Sequence, residues 1–154
     1  MIMENPVSNT SETSLASIER MEGRLLQMEQ VNIPLEEHFA PGVYYRQVAM
    51  PKGSLVIGHC HKTEHLNVII SGRASVVIDG ERKEIIAPST FKSSAFVRKV
   101  LYIHEDMIWA TIHPTDETDL IKLEEQLIEK STTFYKHATS ELEGLRQELL
   151  GDQL

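Results

Sequence analysis

One cysteine, Cys60, stands in the 154 residues, so no disulfide can form within the chain. Long apolar runs are missing as well. No stretch reaches membrane-spanning length, although hydrophobic residues make up an ordinary 41% of the sequence. Basic residues are scarce: 15 Lys and Arg stand against 23 Asp and Glu, a formal charge of −8. Nucleic-acid binding needs a basic face to neutralise phosphates, and Arg82-Lys83 and Arg98-Lys99 are too short to supply one. There is no phosphate-binding glycine loop and no Gly-x-Ser-x-Gly elbow. The scattered carboxylates cannot be paired from the sequence, so acid/base glycosidase work is unsupported. Met1 to Thr10 carry neither a basic leader nor an apolar signal core. The expectation is a protein made and kept in a cytoplasm, or packaged from one.

Three zones divide the chain: a tail and amphipathic helix over 1–34, a β-rich body over 35–115, and a helical extension over 116–154. Ile18, Met21, Leu25 and Met28 recur at helical spacing between Ser11 and Gln30, which leaves Glu19, Arg20, Glu22 and Arg24 on the outer surface. The spacing also suits self-association. Pro34 stops any continuing helix. From Val43 to Ile112 the pattern is β throughout. Val43–Met50 ends at the turn Pro51-Lys52-Gly53, and Ser54–His61 is the next candidate strand. Leu66–Ile70 and Ala74–Ile78 are divided by Ser71-Gly72, and Asp79-Gly80 is a strong hairpin signal. Lys83–Ile86, Phe96–Ile103 and Ile108–Ile112 complete the set. Short strands with frequent turns predict a mainly β sandwich or barrel. In the last zone Thr115 caps a helix opening at Asp116-Glu117, with Leu120, Leu123, Leu127 and Ile128 as its apolar face. A second apolar stripe runs through Phe134, Ala138, Leu142, Leu145 and Leu149.

The chemistry concentrates in Gly58-His59-Cys60-His61-Lys62-Thr63-Glu64-His65-Leu66-Asn67. Histidines at 59 and 61 project from one face of a strand, and after a short turn His65 can face them from its neighbour. Three converging imidazoles leave an open coordination position for water or substrate. The donor type suits zinc, iron, nickel or copper better than magnesium or calcium. Cys60, between two of the histidines, points to the opposite face and reads as a packed core thiol.

These residues, with Gly72 following, resemble the first motif of the cupin superfamily, glycine and His-x-His followed by glutamate and a further glycine. His65 stands where the glutamate usually is. The resemblance implies a small jelly-roll barrel with a metal site at His59, His61 and His65. The second cupin motif would add a histidine from a later strand, and aligning Pro88 and Ala95–Ile103 puts Lys99 there, which is not an equivalent ligand. A narrower resemblance runs through Phe39-Ala40-Pro41-Gly42-Val43-Tyr44, His61-Lys62, His65-Leu66-Asn67, Arg98-Lys99 and Trp109 with His113-Pro114-Thr115. It is to cupin-like proteins of tailed phages and prophages, and it implies a bacterial-host cytoplasm or a virion as the setting.

Two functions compete. In the first, His59, His61 and His65 hold a metal or line a small-molecule pocket, with Asn67 and Lys99 near its open side; no reaction is assigned. In the second, the protein is a non-catalytic assembly module, a homo-oligomer or a partner of phage structural proteins, docking through its terminal helices. Each site residue also has a plainer reading. The histidines can be hydrogen-bonded core residues, Lys99 an exposed lysine guarding an edge, and Asn67 part of a buried amide network. His113, beside Pro114 at a strand end, reads as structural, and Trp109 and Tyr102 as packing residues.

Overall fold

The computed structural model of the chain describes residues 10–130 except Asp79, with side chains from Ala16 onward. The elements are α1 (Thr10–Leu26), β1 (Leu35–Ala40), β2 (Val43–Met50), β3 (Leu55–Ile57), β4 (Cys60–His61), β5 (His65–Ile78), β6 (Glu81–Ile86), β7 (Ser89–Ser93), β8 (Lys99–Pro114), α2 (Leu120–Leu127) and β9 (Ile128–Glu129). Every strand pairing is antiparallel, and the class is mainly β with two helices, as the turn spacing predicts. The main sheet runs β1-β2-β8-β5-β6, with β3 added to β8 and β7 to β5, while β4 and β9 form a separate ribbon.

Two long strands organise the rest. β5 and β8 pair from Leu66 opposite Ile112 to Ile78 opposite Lys99, and the register slips between Ile69 and Ala74. Before the slip β5 is flanked by β7 and after it by β6. Likewise β8 carries β3 along its first part and β2 along its second. Ser71-Gly72, expected as a turn between two strands, is instead the kink within one strand. Gly72 takes φ +92, and a Cβ there would run into the Asp106 carbonyl and to within 2.7 Å of Met107 Cα. Glycine's freedom is spent on a bulge because β8 continues unbroken alongside. The same continuity merges the two strands expected at Phe96–Ile103 and Ile108–Ile112. The strand expected at Ser54–His61 breaks into β3 and β4. The hairpin expected after Ile78 does form, with Ile78 opposite Glu81 and Gly80 at φ +77; Asp79 itself lies outside the described residues.

Alternation along these strands sets what faces inward. On β8, Leu101, Ile103, Met107 and Trp109 are buried, and Tyr102 between them is exposed. Met50, Ile69, Ala74 and Val76 join them in one core drawn from both parts of the sheet. Full burial of one such large side chain contributes about 1.5–3 kcal/mol. At the far end of the same inner face the residues turn polar.

The helices depart from expectation in detail. α1 stops at Leu26, well before Pro34, and Met21 and Met28 of its predicted stripe are exposed. The buried residue is Glu22, expected on the surface: it pairs with Arg98, their side chains 8% and 7% exposed, and Arg98 Nε also donates to the Gly58 carbonyl. An ion pair, not an apolar stripe, ties α1 down. α2 begins at Leu120, because Asp119 and not Thr115 is its cap, accepting from the Ile121 and Lys122 amides. Thr115 instead closes a local turn by accepting from the Glu117 amide. Leu123 and Leu127 are buried with Tyr44, Ile128 leaves the helix for β9, and Leu120 stays exposed. The stripe from Phe134 to Leu149 lies outside the described residues.

Two stability outcomes follow from these contacts. Gly72→Ala is expected to cost about 1–3 kcal/mol from its left-handed backbone alone, read as a lower urea midpoint; an unchanged midpoint would contradict the kink. Arg98→Ala is expected to cost about 3–5 kcal/mol by removing the ion-pair partner of the buried Glu22 carboxylate. Replacing both residues together with leucine or methionine should recover most of that loss, and failure to recover it would contradict the pairing as its cause.

Candidate functional site

Three imidazoles meet at the polar end of the inner face. His65 begins β5 and His113 sits one residue before the end of β8, on inward positions of paired strands. His61 comes from β4, held in place because its carbonyl accepts from the Phe96 amide at 2.7 Å and its neighbour Lys62 donates its amide to Leu127 O at 2.7 Å. Ring centroids lie 4.4 Å apart for His61 and His65, 4.8 Å for His65 and His113, and 5.2 Å for His61 and His113. Tyr44, opposite His113 in the register, stacks on it at 5.8 Å and donates its hydroxyl to Glu37 at 2.7 Å.

Hydrogen bonding fixes part of the proton inventory. His65 Nδ1 donates to the Thr63 carbonyl at 3.2 Å, which leaves Nε2 of the neutral ring as a bare acceptor. His113 Nε2 contacts the Thr111 hydroxyl at 3.0 Å. His65 Nε2, His113 Nδ1 and the Thr63 hydroxyl are buried with no hydrogen-bond partner among the described residues. Such atoms are uncommon in a folded interior and point to something that completes them.

Burial is the main reason the rings stay neutral. It pushes His61 well below the usual histidine range, with His65, His113, Lys99 and Arg46 opposing a further charge. His113 is pushed down to about 4 by burial and by His65, Arg46 and Lys99. His65 is lowered by burial, with Lys99 adding to the effect and the Thr63 carbonyl resisting it.

The expected set therefore assembles only in part. His61 and His65 do come together. The third ring is His113, which the sequence reads as structural; continuing the inward alternation Trp109, Thr111, His113 would have found it. His59 is not one of this trio: it is half-buried near Arg46, Glu124 and Lys130, and desolvation lowers its pKa. Lys99 is buried, 9% exposed, on the inner face, so the edge-guard reading fails. Asn67 is fully committed: its amide nitrogen donates to Ser93 Oγ at 2.8 Å and Phe91 O at 3.3 Å, and its oxygen accepts from Trp109 at 3.0 Å. Cys60 is half-buried opposite Glu129, and burial and that carboxylate raise its thiol pKa. Arg46, missed in the sequence, shares the inward positions of β2 with Tyr44, Val48 and Met50, all at least partly buried.

Imidazole is the right donor type for a transition ion. The residues as arranged do not fit one, however. Among the described residues no group of three His, Cys, Asp or Glu side chains is placed to hold a metal. The rings lean face to face at 25–47°. Two cationic side chains, Arg46 and Lys99, bear on them, and no carboxylate belongs to the trio to offset a metal's charge.

No family model matches the chain, and no curated protein does. Solved structures of similar shape include a cupin superfamily protein of Desulfitobacterium hafniense (12% identity, TM-score 0.48, covering 61% of this chain and 87% of that one). An RmlC-like cupin family protein of Methanocaldococcus jannaschii with a double-stranded β-helix fold has 12% identity and a TM-score of 0.46, over 57% of this chain and 92% of its own. The Cupin_2 domain of an XRE family transcriptional regulator of Enterobacter cloacae has 14% identity and a TM-score of 0.47, over 54% and 97%. All three are cupins. The likeness is one of shape alone; it carries nothing about the site, and it does not touch the phage part of the sequence resemblance.

Neutral buried histidines make stability depend on pH with a definite sign. The folded pKa of His113, about 4, lies below the ordinary 6.5, so the unfolded chain takes up protons first on acidification. The stabilisation is complete above pH 6.5 and is expected to drain away as pH falls from there toward 4. Urea unfolding at pH 7.5, 6 and 5 should show a steady loss, smaller in His113→Gln; the same slope in that variant would contradict the assignment.

Proposed function

We propose that the protein binds a small polar molecule at the inner-face site formed by His61, His65 and His113. The observation that carries this reading is the pair of unpartnered ring nitrogens, His65 Nε2 and His113 Nδ1. Leaving a buried acceptor or donor unpaired costs about 1–3 kcal/mol, and a ligand that completes both recovers that cost on binding. A groove of about 290 Å³ at the rim, lined by Gly42, Val43, Glu64, Leu66, Lys92, Ile112 and Pro114, also has His65 and His113 in its wall. Neutral imidazoles can each offer one donor and one acceptor, so they orient a polar ligand and can relay its proton. No reaction is specified by this arrangement.

A resident transition ion (zinc, iron, nickel or copper) is the second reading, favoured by the same two bare nitrogens and opposed by Arg46 and Lys99. An assembly role for the terminal helices, with copies of this chain or with virion proteins, stands apart from the site. The contacts seen for α1 and α2 are with their own sheet, through Glu22–Arg98 and through Leu123 and Leu127. Among the described residues no helix is long and apolar enough to cross a membrane.

Ring-labelled histidine spectra recorded during a screen of small polar molecules test the first reading. Binders are expected to move the signals of His61, His65 and His113 and leave the exposed His38 unchanged. A library whose binders move only His38 or His104 would count against the site. Elemental analysis of protein grown with all four metals tests the second. Stoichiometric metal lost in His65→Ala and His113→Ala would establish it, and trace metal throughout would remove it.

A further inference from the structure

Lys99 and His113 stand equally far along β8 on either side of Asp106, where the strand passes the Gly72 bulge. Both lie on inward positions, and the Lys99 carbonyl accepts from the Gly58 amide at 2.9 Å while the His61 carbonyl accepts from the Phe96 amide at 2.7 Å, which sets Lys99 beside the segment that carries His61. The Lys99 charge accordingly opposes protonation of His61, His65 and His113 together. Arg46 reaches the same place from β2, opposite Thr111.

Neither cation forms an ion pair with a described carboxylate; Glu37 stands opposite Arg46 in the β1–β2 register, and Glu64 and Glu124 pair with lysines of their own. Glu37 accepts the Tyr44 hydroxyl at 2.7 Å, Glu64 pairs with Lys92 at 3.3 Å at the groove mouth, and Glu124 pairs with Lys130 at 3.0 Å. Burial works against the Lys99 ammonium, which has no counter-charge to offset it. Two inward cations and three neutral imidazoles, against the one carboxylate of Glu37 opposite Arg46, leave this end of the interior short of one negative charge, that of a partner for Lys99.

We propose that this end of the interior binds an oxyanion, the carboxylate or phosphate group of a small molecule, held between Lys99 and Arg46 while the bare nitrogens of His65 and His113 contact the rest of the ligand. The guanidinium fork of Arg46 matches a carboxylate or phosphate edge, and the ammonium of Lys99 acts as a point charge. A cation is repelled here, and a neutral ligand leaves the Lys99 ammonium without a counter-charge among the described residues. This rests on the small-molecule reading above and narrows its ligand class.

Thermal melting and histidine-ring spectra of the full chain, titrated with sodium acetate, sodium malonate and sodium phosphate at constant ionic strength against a chloride baseline, provide the test. A saturable rise in Tm with matching shifts at His61, His65 and His113 is expected for at least one anion, and the tighter arm names the source as carboxylate or phosphate. Lys99→Met and Arg46→Gln should each weaken that binding about tenfold or more, the loss of one charge-assisted contact, while Lys99→Arg retains most of it. Without anion, Lys99→Met should melt no lower than the parent, because an uncompensated buried charge has gone. Absence of saturation with all three anions, or equal binding by Lys99→Met and Arg46→Gln, overturns the proposal. Should Lys99→Met fail to fold, Arg46→Gln and Lys99→Arg carry the decision. Ring shifts with neutral ligands but never with anions would sink this inference and leave the pocket standing; no ring shift with any ligand would sink both.

Discussion

Antiparallel pairing of β5 with β8 is the constraint from which the other features descend. Each strand is too long for one layer of so small a sheet, and the register slip between Ile69 and Ala74 lets the pair bend without breaking. Gly72 makes the bend because only a residue without Cβ can lie against Asp106 and Met107. Bending brings Met50, Ile69, Val76, Leu101, Ile103 and Trp109 into one core. At the opposite pole the paired strand ends bring His65 and His113 together, and the Lys99 charge bears on both. Core and site are two results of one strand pairing.

At that pole the energetics run against the usual logic of burial. Polar groups inside a protein are normally paired, and charges more so. Asn67 obeys the rule, tied to Phe91, Ser93 and Trp109, and so does the Glu22–Arg98 pair beneath α1. A short distance away, Lys99, Arg46 and the two bare imidazole nitrogens do not. Adjacent sites, one saturated and one open, separate structural polarity from polarity held ready for a ligand.

Much of the fold was legible in the sequence because β periodicity and turn chemistry are local. Val43–Met50 and the pairing of Ile78 with Glu81 emerge as read. What was not legible depended on distant partners. Whether Ser71-Gly72 reverses the chain or kinks it is decided by β8, some thirty residues away in sequence, and the buried Glu22 pairs with Arg98 from a distant segment. The site divides the same way. His61 and His65 belong to a contiguous motif and were found; His113 and Arg46 come from other strands, and only their alternation with Trp109 and Tyr44 marked them as inward. His59, first in the motif, stands outside the trio because the strand expected at 54–61 breaks before Cys60.

The most direct test of the central geometry is ring-to-ring proximity in solution. In protein labelled only at histidine, nuclear Overhauser cross-peaks are expected to link the ring protons of His61, His65 and His113 pairwise, as centroid separations of 4.4–5.2 Å require. Cross-peaks joining His59 to His61 and His65 with none to His113 would contradict it.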